Sequence, residues 1–252
     1  MKSFRARLKQ GELLLGSLIS LPNTEVVELL AKIGFDWLFI DGEHGPFDAL
    51  QMQHMLQAAS PHCPCLIRVA SHDVVAIKNA LDIGAAGIIV PQINTVTEAA
   101  QAIQAAKYPP TGNRGVGLAR AHGYGLNFSD YLSRADSETC VVLQAETRAA
   151  VDNIEDIVAL DHLDAILIGP YDLSANLGHM GELEHPEVVA AIKKVERACK
   201  QKNVQLGYFG VNAQAVGPYI DRGFTLIAAG VDSLFLLNGA QELIQALRNE
   251  NI

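Results

Sequence analysis

The chain has 252 residues, of which 49% are hydrophobic and 19% charged, with 21 glycines and a net charge of −9. That length suits one α/β barrel or two small domains, with enough apolar residues for a large core. No Lys/Arg run or stripe offers a face to nucleic acid, and no segment is apolar for long enough to cross a bilayer, so the expected partners are small molecules.

In chain order, Met1 to Gln10 predicts a basic, amphipathic surface helix and not a signal peptide, because no apolar h-region follows it. Eight short apolar runs come next, at 13–20, 36–41, 65–69, 86–91, 140–145, 164–169, 204–209 and 224–229. They lack alternation, as expected of parallel strands covered on both faces. Amphipathic helical stretches separate them, at 24–33, 48–59, 73–81, 96–106, 148–160, 186–200 and 213–222. Gly34, Gly84 and Gly223 stand where helices end and positive φ is needed. Eight strands alternating with helices predict one α/β domain over residues 1–252, a closed (β/α)8 TIM barrel, with an open doubly wound sheet as the alternative. The segment Tyr108–Arg134 is long, glycine-rich and without periodicity, and is expected on the catalytic face after the fourth strand. The four cysteines, Cys63, Cys65, Cys140 and Cys199, lack zinc-site spacing and fit free thiols in a reducing cytoplasm.

Active sites of such barrels form at the C-terminal strand ends. The second run leads into Asp41-Gly42-Glu43-His44, two carboxylates and an imidazole within four residues. His44 suits a general base because its ordinary pKa lies near working pH. The third run ends in Arg68, whose planar fork suits a carboxylate. The fifth ends Gln144-Ala145-Glu146, with Gln144 and Glu146 on the same side by alternation. The sixth runs into Gly169-Pro170-Tyr171-Asp172, a turn expected to bring Asp172 over the barrel mouth. Glu146 and Asp172, with waters and a chelating substrate, suit a hard divalent cation. Every lysine falls on a predicted helix or helix end, so none is placed for a Schiff base.

The stretches 34–46 (GFDWLFIDGEHGP), 66–69 (LIRV), 108–117 (YPPTGNRGVG), 144–153 (QAETRAAVDN), 168–178 (IGPYDLSANLG), 185–188 (HPEV) and 230–232 (GVD) occur in order. On them the chain resembles the HpcH/HpaI family of pyruvate-dependent class II aldolases over nearly its full length. The resemblance implies a phosphoenolpyruvate/pyruvate-type barrel that cleaves a 4-hydroxy-2-oxo acid to pyruvate and an aldehyde through a metal-stabilised enolate. It implies Glu146 and Asp172 as ligands of Mg²⁺ or Mn²⁺, with Co²⁺ and Zn²⁺ as alternatives. It gives His44 as base, Arg68 as the residue that stabilises the transition state, and Gln144, Tyr171, Asp172 and Ser174 as substrate contacts. Asp82 is the family's tuner of the histidine, reaching it only from a neighbouring chain, with Asp41 as the competing partner; the family's hexamers imply a homo-oligomer. Tyr171 departs from the small residue of many members and bears on substrate choice. The loop 117–131, with Arg120, His122 and Tyr124, is expected to wall the aldehyde side. Competing readings are a CoA-ester lyase of the citrate lyase β type, a decarboxylase of oxaloacetate, and a non-catalytic barrel that binds a 2-oxo acid.

Overall fold

The computed structural model describes residues 2–249. Eight parallel strands close into a barrel in sequence order: β1 (Leu14–Ile19), β2 (Trp37–Asp41), β3 (Cys65–Arg68), β4 (Gly87–Val90), β5 (Cys140–Ala145), β6 (Ala165–Ile168), β7 (Gln205–Gly210) and β8 (Leu226–Val231), the last pairing with β1. Each lies on a predicted apolar run. Alternate residues divide the core in two. Leu14, Leu18, Trp37, Phe39, Leu66, Ile89, Val142 and Leu167 fill the barrel interior, while Leu38, Ile40, Ile67, Ile88, Val141 and Ile166 face the helices. Gly16 makes room inside, since a Cβ there would sit 2.5 Å from the Trp37 ring.

The helices begin with α1 (Phe4–Lys9), α2 (Thr24–Ile33), α3 (Ala49–Ala59), α4 (Val74–Asp82) and α5 (Val96–Ala106). After them come α6 (Phe128–Glu138), α7 (Arg148–Asp152), α8 (Ile154–Ile157), α9 (Pro170–Asn176), α10 (Pro186–Lys202), α11 (Ala213–Asp221) and α12 (Asp232–Asn249). Asn23, Asp48, Asp73 and Thr95 cap their helices by accepting a main-chain N–H, which satisfies donors the helix itself cannot. The single helix expected at 148–160 is broken at Asn153 into α7 and α8.

Two expectations are corrected. The N-terminal helix is not a surface helix: Phe4 and Leu8 join the interior cluster and Arg5 pairs with buried Asp164 at 2.8 Å, so α1 plugs the bottom of the barrel. The segment 108–134 does not lie on the catalytic face either. Helix α5 first carries the chain back down, and the segment ends in α6 before β5 starts at the bottom. There Arg120 donates to Ile83 O at 2.8 Å, at the end of α4, and His122 is buried against Phe128 and Tyr131. Arg120, His122 and Tyr124 therefore wall nothing in their own chain's barrel mouth.

Helix α12 departs from the outer ring. Every residue from 235 to 248 is exposed, including Phe235, Leu236, Leu237, Leu243 and Ile244.

Candidate active site

Alternation places Asp41, Arg68 and Gln144 two residues above the interior positions Phe39, Leu66 and Val142, so all three project inward at the C-terminal end of the barrel. They roof an apolar floor. A cavity of about 170 Å³ opens there, lined by Leu18, Phe39, Leu167 and Phe209 below and by His44, Arg68, Gln144, Pro170, Tyr171 and Asp172 above.

Asp41 and Arg68 are register neighbours on β2 and β3. The guanidinium donates to both carboxylate oxygens, at 2.9 and 2.8 Å, and lies 5.3 Å from the centre of the Phe39 ring. Its Nε also stands 3.2 Å from Glu43. Burial opposes the Asp41 charge, but the Arg68 guanidinium and the N–H groups of His44 and Glu43 outweigh it and hold the carboxyl below its usual range. Asp41 therefore fixes His44 through the main chain, with a contact of 3.2 Å from His44 N. Its carboxylate is engaged by Arg68, so the expectation that it orients the His44 ring is corrected.

His44 itself is open to solvent, its side chain 68% exposed, with Nε2 3.9 Å from Glu43. Asp82 is far from it along the barrel axis. It closes α4 at the bottom, where it accepts from Arg114 Nη2 at 2.7 Å. Within one chain the structure does not bring Asp82 to His44.

Glu146 is 2% exposed. Gln92 N donates to its Oε1 at 2.7 Å and Gln144 Nε2 to its Oε2. Gln92 makes that contact from a left-handed backbone, φ 56°, which a non-glycine residue adopts only when its surroundings impose it. Burial raises the Glu146 carboxyl, the Gln92 N–H opposes this, and Glu43 and Asp172 raise it further. Glu43 is raised in the same way, by burial first and then, against Arg68 and His44, by Asp41 and Asp172. The Oε1 of Gln144 is buried without a partner.

These are acceptors in excess of donors. Three carboxylates, Glu43, Glu146 and Asp172, repel one another beside one guanidinium, and an orphaned amide oxygen lies among them. A hard divalent cation is the group that such an all-oxygen set fits. Glu43 belongs to this charge cluster, although the sequence marks it only as one letter of the turn after β2. Asp172 sits in the first turn of α9, a helix whose start the Pro170 at its first position signals. Ser174 is corrected as a substrate contact: it is fully buried, donates to Tyr171 O at 2.7 Å and accepts from Gly181 N at 3.0 Å.

Gly169 sets the clearance of the site. A Cβ there would lie 2.8 Å from Gln144 Nε2 and 3.1 Å from Glu146 Oε2. Gly169→Ala is expected to push Gln144 and Glu146 out of place and lower turnover by roughly 10²-fold, as misplacement of about 1 Å does, with the melting temperature lowered by only a few degrees. A steady-state assay beside a thermal melt checks it; unchanged turnover would show that the clearance is not needed.

Residues 16–239 match the family described as HpcH/HpaI aldolase/citrate lyase. The chain is 38% identical over 250 residues to a hydroxypyruvate/pyruvate aldolase of Cupriavidus necator, covering 98% of this chain and 93% of that one. It is 40% identical over 243 residues to a 4-hydroxy-2-oxo-heptane-1,7-dioate aldolase of Klebsiella pneumoniae, covering 96% and 92%. Among solved structures, a HpcH/HpaI aldolase/citrate lyase family protein from Burkholderia cenocepacia superposes with a TM-score of 0.93 at 35% identity, covering 97% and 98% of the two chains. The chain belongs to the HpcH/HpaI aldolase/citrate lyase family.

Proposed function

We propose that this family member is a carbon–carbon lyase that cleaves a 4-hydroxy-2-oxo acid to pyruvate and an aldehyde and runs the reverse condensation. The observation that carries the reading is the carboxylate cluster of Glu43, Glu146 and Asp172, of which Asp172 lines a small cavity together with His44 and Arg68. The names of the Cupriavidus and Klebsiella relatives support the same reaction type.

Glu146 and Asp172 would hold a divalent cation, Mg²⁺ or Mn²⁺ by the hardness of the ligands, and when bound it supplies a Lewis acid for the carboxylate and keto oxygens of the 2-oxo acid. Arg68 is held by Asp41 with its charge at the cavity, where it balances negative charge developing on the keto oxygen. Gln144 Nε2 holds Glu146, and the apolar floor of Leu18, Phe39, Leu167 and Phe209 excludes water beneath the reacting carbon. His44 takes the proton from the 4-hydroxyl in cleavage and returns it in condensation. Tyr171, 45% exposed at the cavity rim, faces the aldehyde side and narrows it. Among the described residues Arg68 is the only Lys or Arg lining the cavity, which supports a small 2-oxo acid over the phosphates of a CoA ester.

The same reading includes a homo-oligomer. Helix α12 presents Phe235, Leu236, Leu237, Leu243 and Ile244 to solvent, and Val116, Leu118 and Leu126 are exposed at the bottom loop. Exposed apolar side chains grouped in this way support contact with another chain. A neighbouring copy is also the route by which Asp82, at the bottom of its own barrel, reaches a His44. Six copies is the number the family resemblance implies, and sedimentation equilibrium reads it.

Exchange of pyruvate methyl protons in D₂O, followed by NMR with and without Mn²⁺ or Mg²⁺ after chelation, tests the reading. Metal-dependent exchange is expected; no exchange with either ion would overturn it. His44→Ala is expected to lower aldol cleavage by roughly 10²–10⁴-fold while pyruvate still binds. Wild-type turnover in that variant would remove His44 from the mechanism.

A further inference from the structure

The connection from α9 to α10 carries His179-Met180-Gly181-Glu182-Leu183-Glu184-His185. Glu182 N donates to His179 O at 2.9 Å and His185 N donates to Glu182 O at 3.0 Å. Two successive four-residue turns thus share Glu182. One donor atom from each of His179, Glu182 and His185 lies within 4.8 Å of the other two. The two imidazole rings stack with centroids 3.4 Å apart and planes at 18°.

The backbone, not attraction among these side chains, holds the arrangement. His179 N donates to Ser174 O at 2.8 Å, and Gly181 N to Ser174 Oγ at 3.0 Å. Gly178 and Gly181 take φ of 88° and 81°, which L side chains rarely adopt.

The hydrogen bonds also assign the ring protons. His179 Nε2 faces a Glu187 carboxylate oxygen at 3.1 Å. A carboxylate only accepts, so Nε2 donates in that contact and, in the neutral ring, Nδ1 is unprotonated. His185 Nδ1 accepts Glu187 N–H at 3.3 Å, so it too is unprotonated, and this long contact competes poorly for its lone pair. A histidine that gives its other N–H to a carboxylate is in the arrangement that orients a metal ligand.

We propose that His179, Glu182 and His185 form a second metal site, separate from the Glu146–Asp172 pair, that takes a borderline transition cation such as Zn²⁺ or Co²⁺. Two imidazoles and one carboxylate leave a fourth position open for water and select against hard cations. Filling the site ties the loop after α9, the helix that carries Tyr171 and Asp172, to the first turn of α10.

Equilibrium dialysis with Co²⁺, read with its visible absorption, tests this in Glu146→Gln, so the outcome is independent of the catalytic pair. One Co²⁺ per chain is expected there, with the strong bands of a four-coordinate ion. Adding His179→Gln and His185→Gln is expected to weaken that binding at least 100-fold, and Glu182→Ala, at an exposed position, at least tenfold. Absence of Co²⁺ binding in Glu146→Gln would overturn the proposal. So would Co²⁺ binding that survives the histidine changes, or, if those variants misfold, survives Glu182→Ala.

Discussion

Glu146→Gln is expected to abolish metal-dependent exchange of the pyruvate methyl protons and to lower aldol cleavage by on the order of 10³-fold, the equivalent of about 4 kcal/mol. The change keeps the side chain's shape but removes its charge. Its amide oxygen can still accept from the N–H of Gln92, 2.7 Å from Glu146 Oε1, while only the oxygen facing Gln144 Nε2 becomes a donor, and that side-chain amide can turn. Stability moves in the opposite sense from activity. Burial and the charges of Glu43 and Asp172 disfavour the Glu146 carboxylate in the folded chain, so neutralising it relieves repulsion. A metal-free protein that melts no lower than the wild type, yet fails to bind Mn²⁺ by titration calorimetry, is the expected result. Retained Mn²⁺ affinity would place the cation elsewhere.

Arg68→Ala is expected to damage fold and function together. Arg68 and Asp41 are both under a tenth exposed, joined at 2.8 and 2.9 Å. Removing one partner of a buried pair leaves an uncompensated charge, at a cost of about 3–5 kcal/mol. Turnover should fall by roughly 10²–10³-fold from the lost positive charge at the keto oxygen. Arg68→Ala with Asp41→Asn separates the two effects. The double variant should regain much of the lost stability in chemical denaturation and none of the turnover. Recovery of activity in it would mean that Arg68 acts only as the counter-ion of Asp41.

The barrel was legible because parallel strands covered on both faces must be apolar at every position, and eight such runs stand between amphipathic stretches. Arg68 and Gln144 were legible for the same reason: a polar residue at the end of such a strand has nowhere to go but the barrel mouth. Glu43 was legible only as a carboxylate beside His44, because its charge stands beside Glu146 and Asp172, which come from distant parts of the chain. The side of the barrel occupied by 108–134 follows from α5, which crosses once from the top to the bottom; the crossing, not glycine content, decides which face the loop occupies. Asp41 looked like a partner for the His44 ring from adjacency; the cross-strand register gives it to Arg68 instead. Helix α9 was hidden inside a Gly-Pro turn, and its proline at the first helical position is the signal that reveals it.

The plug at the bottom of the barrel bears on how the chain is made. Arg5 lies 159 positions before its partner Asp164. A ribosome adding roughly 5–20 residues per second leaves the first helix waiting about 8–30 s before that carboxylate exists. During that interval Phe4 and Leu8 have no finished barrel to enter, and their interior neighbours Leu226 and Ala228 arrive only with the last strand, so these apolar side chains stay open to chaperones until then.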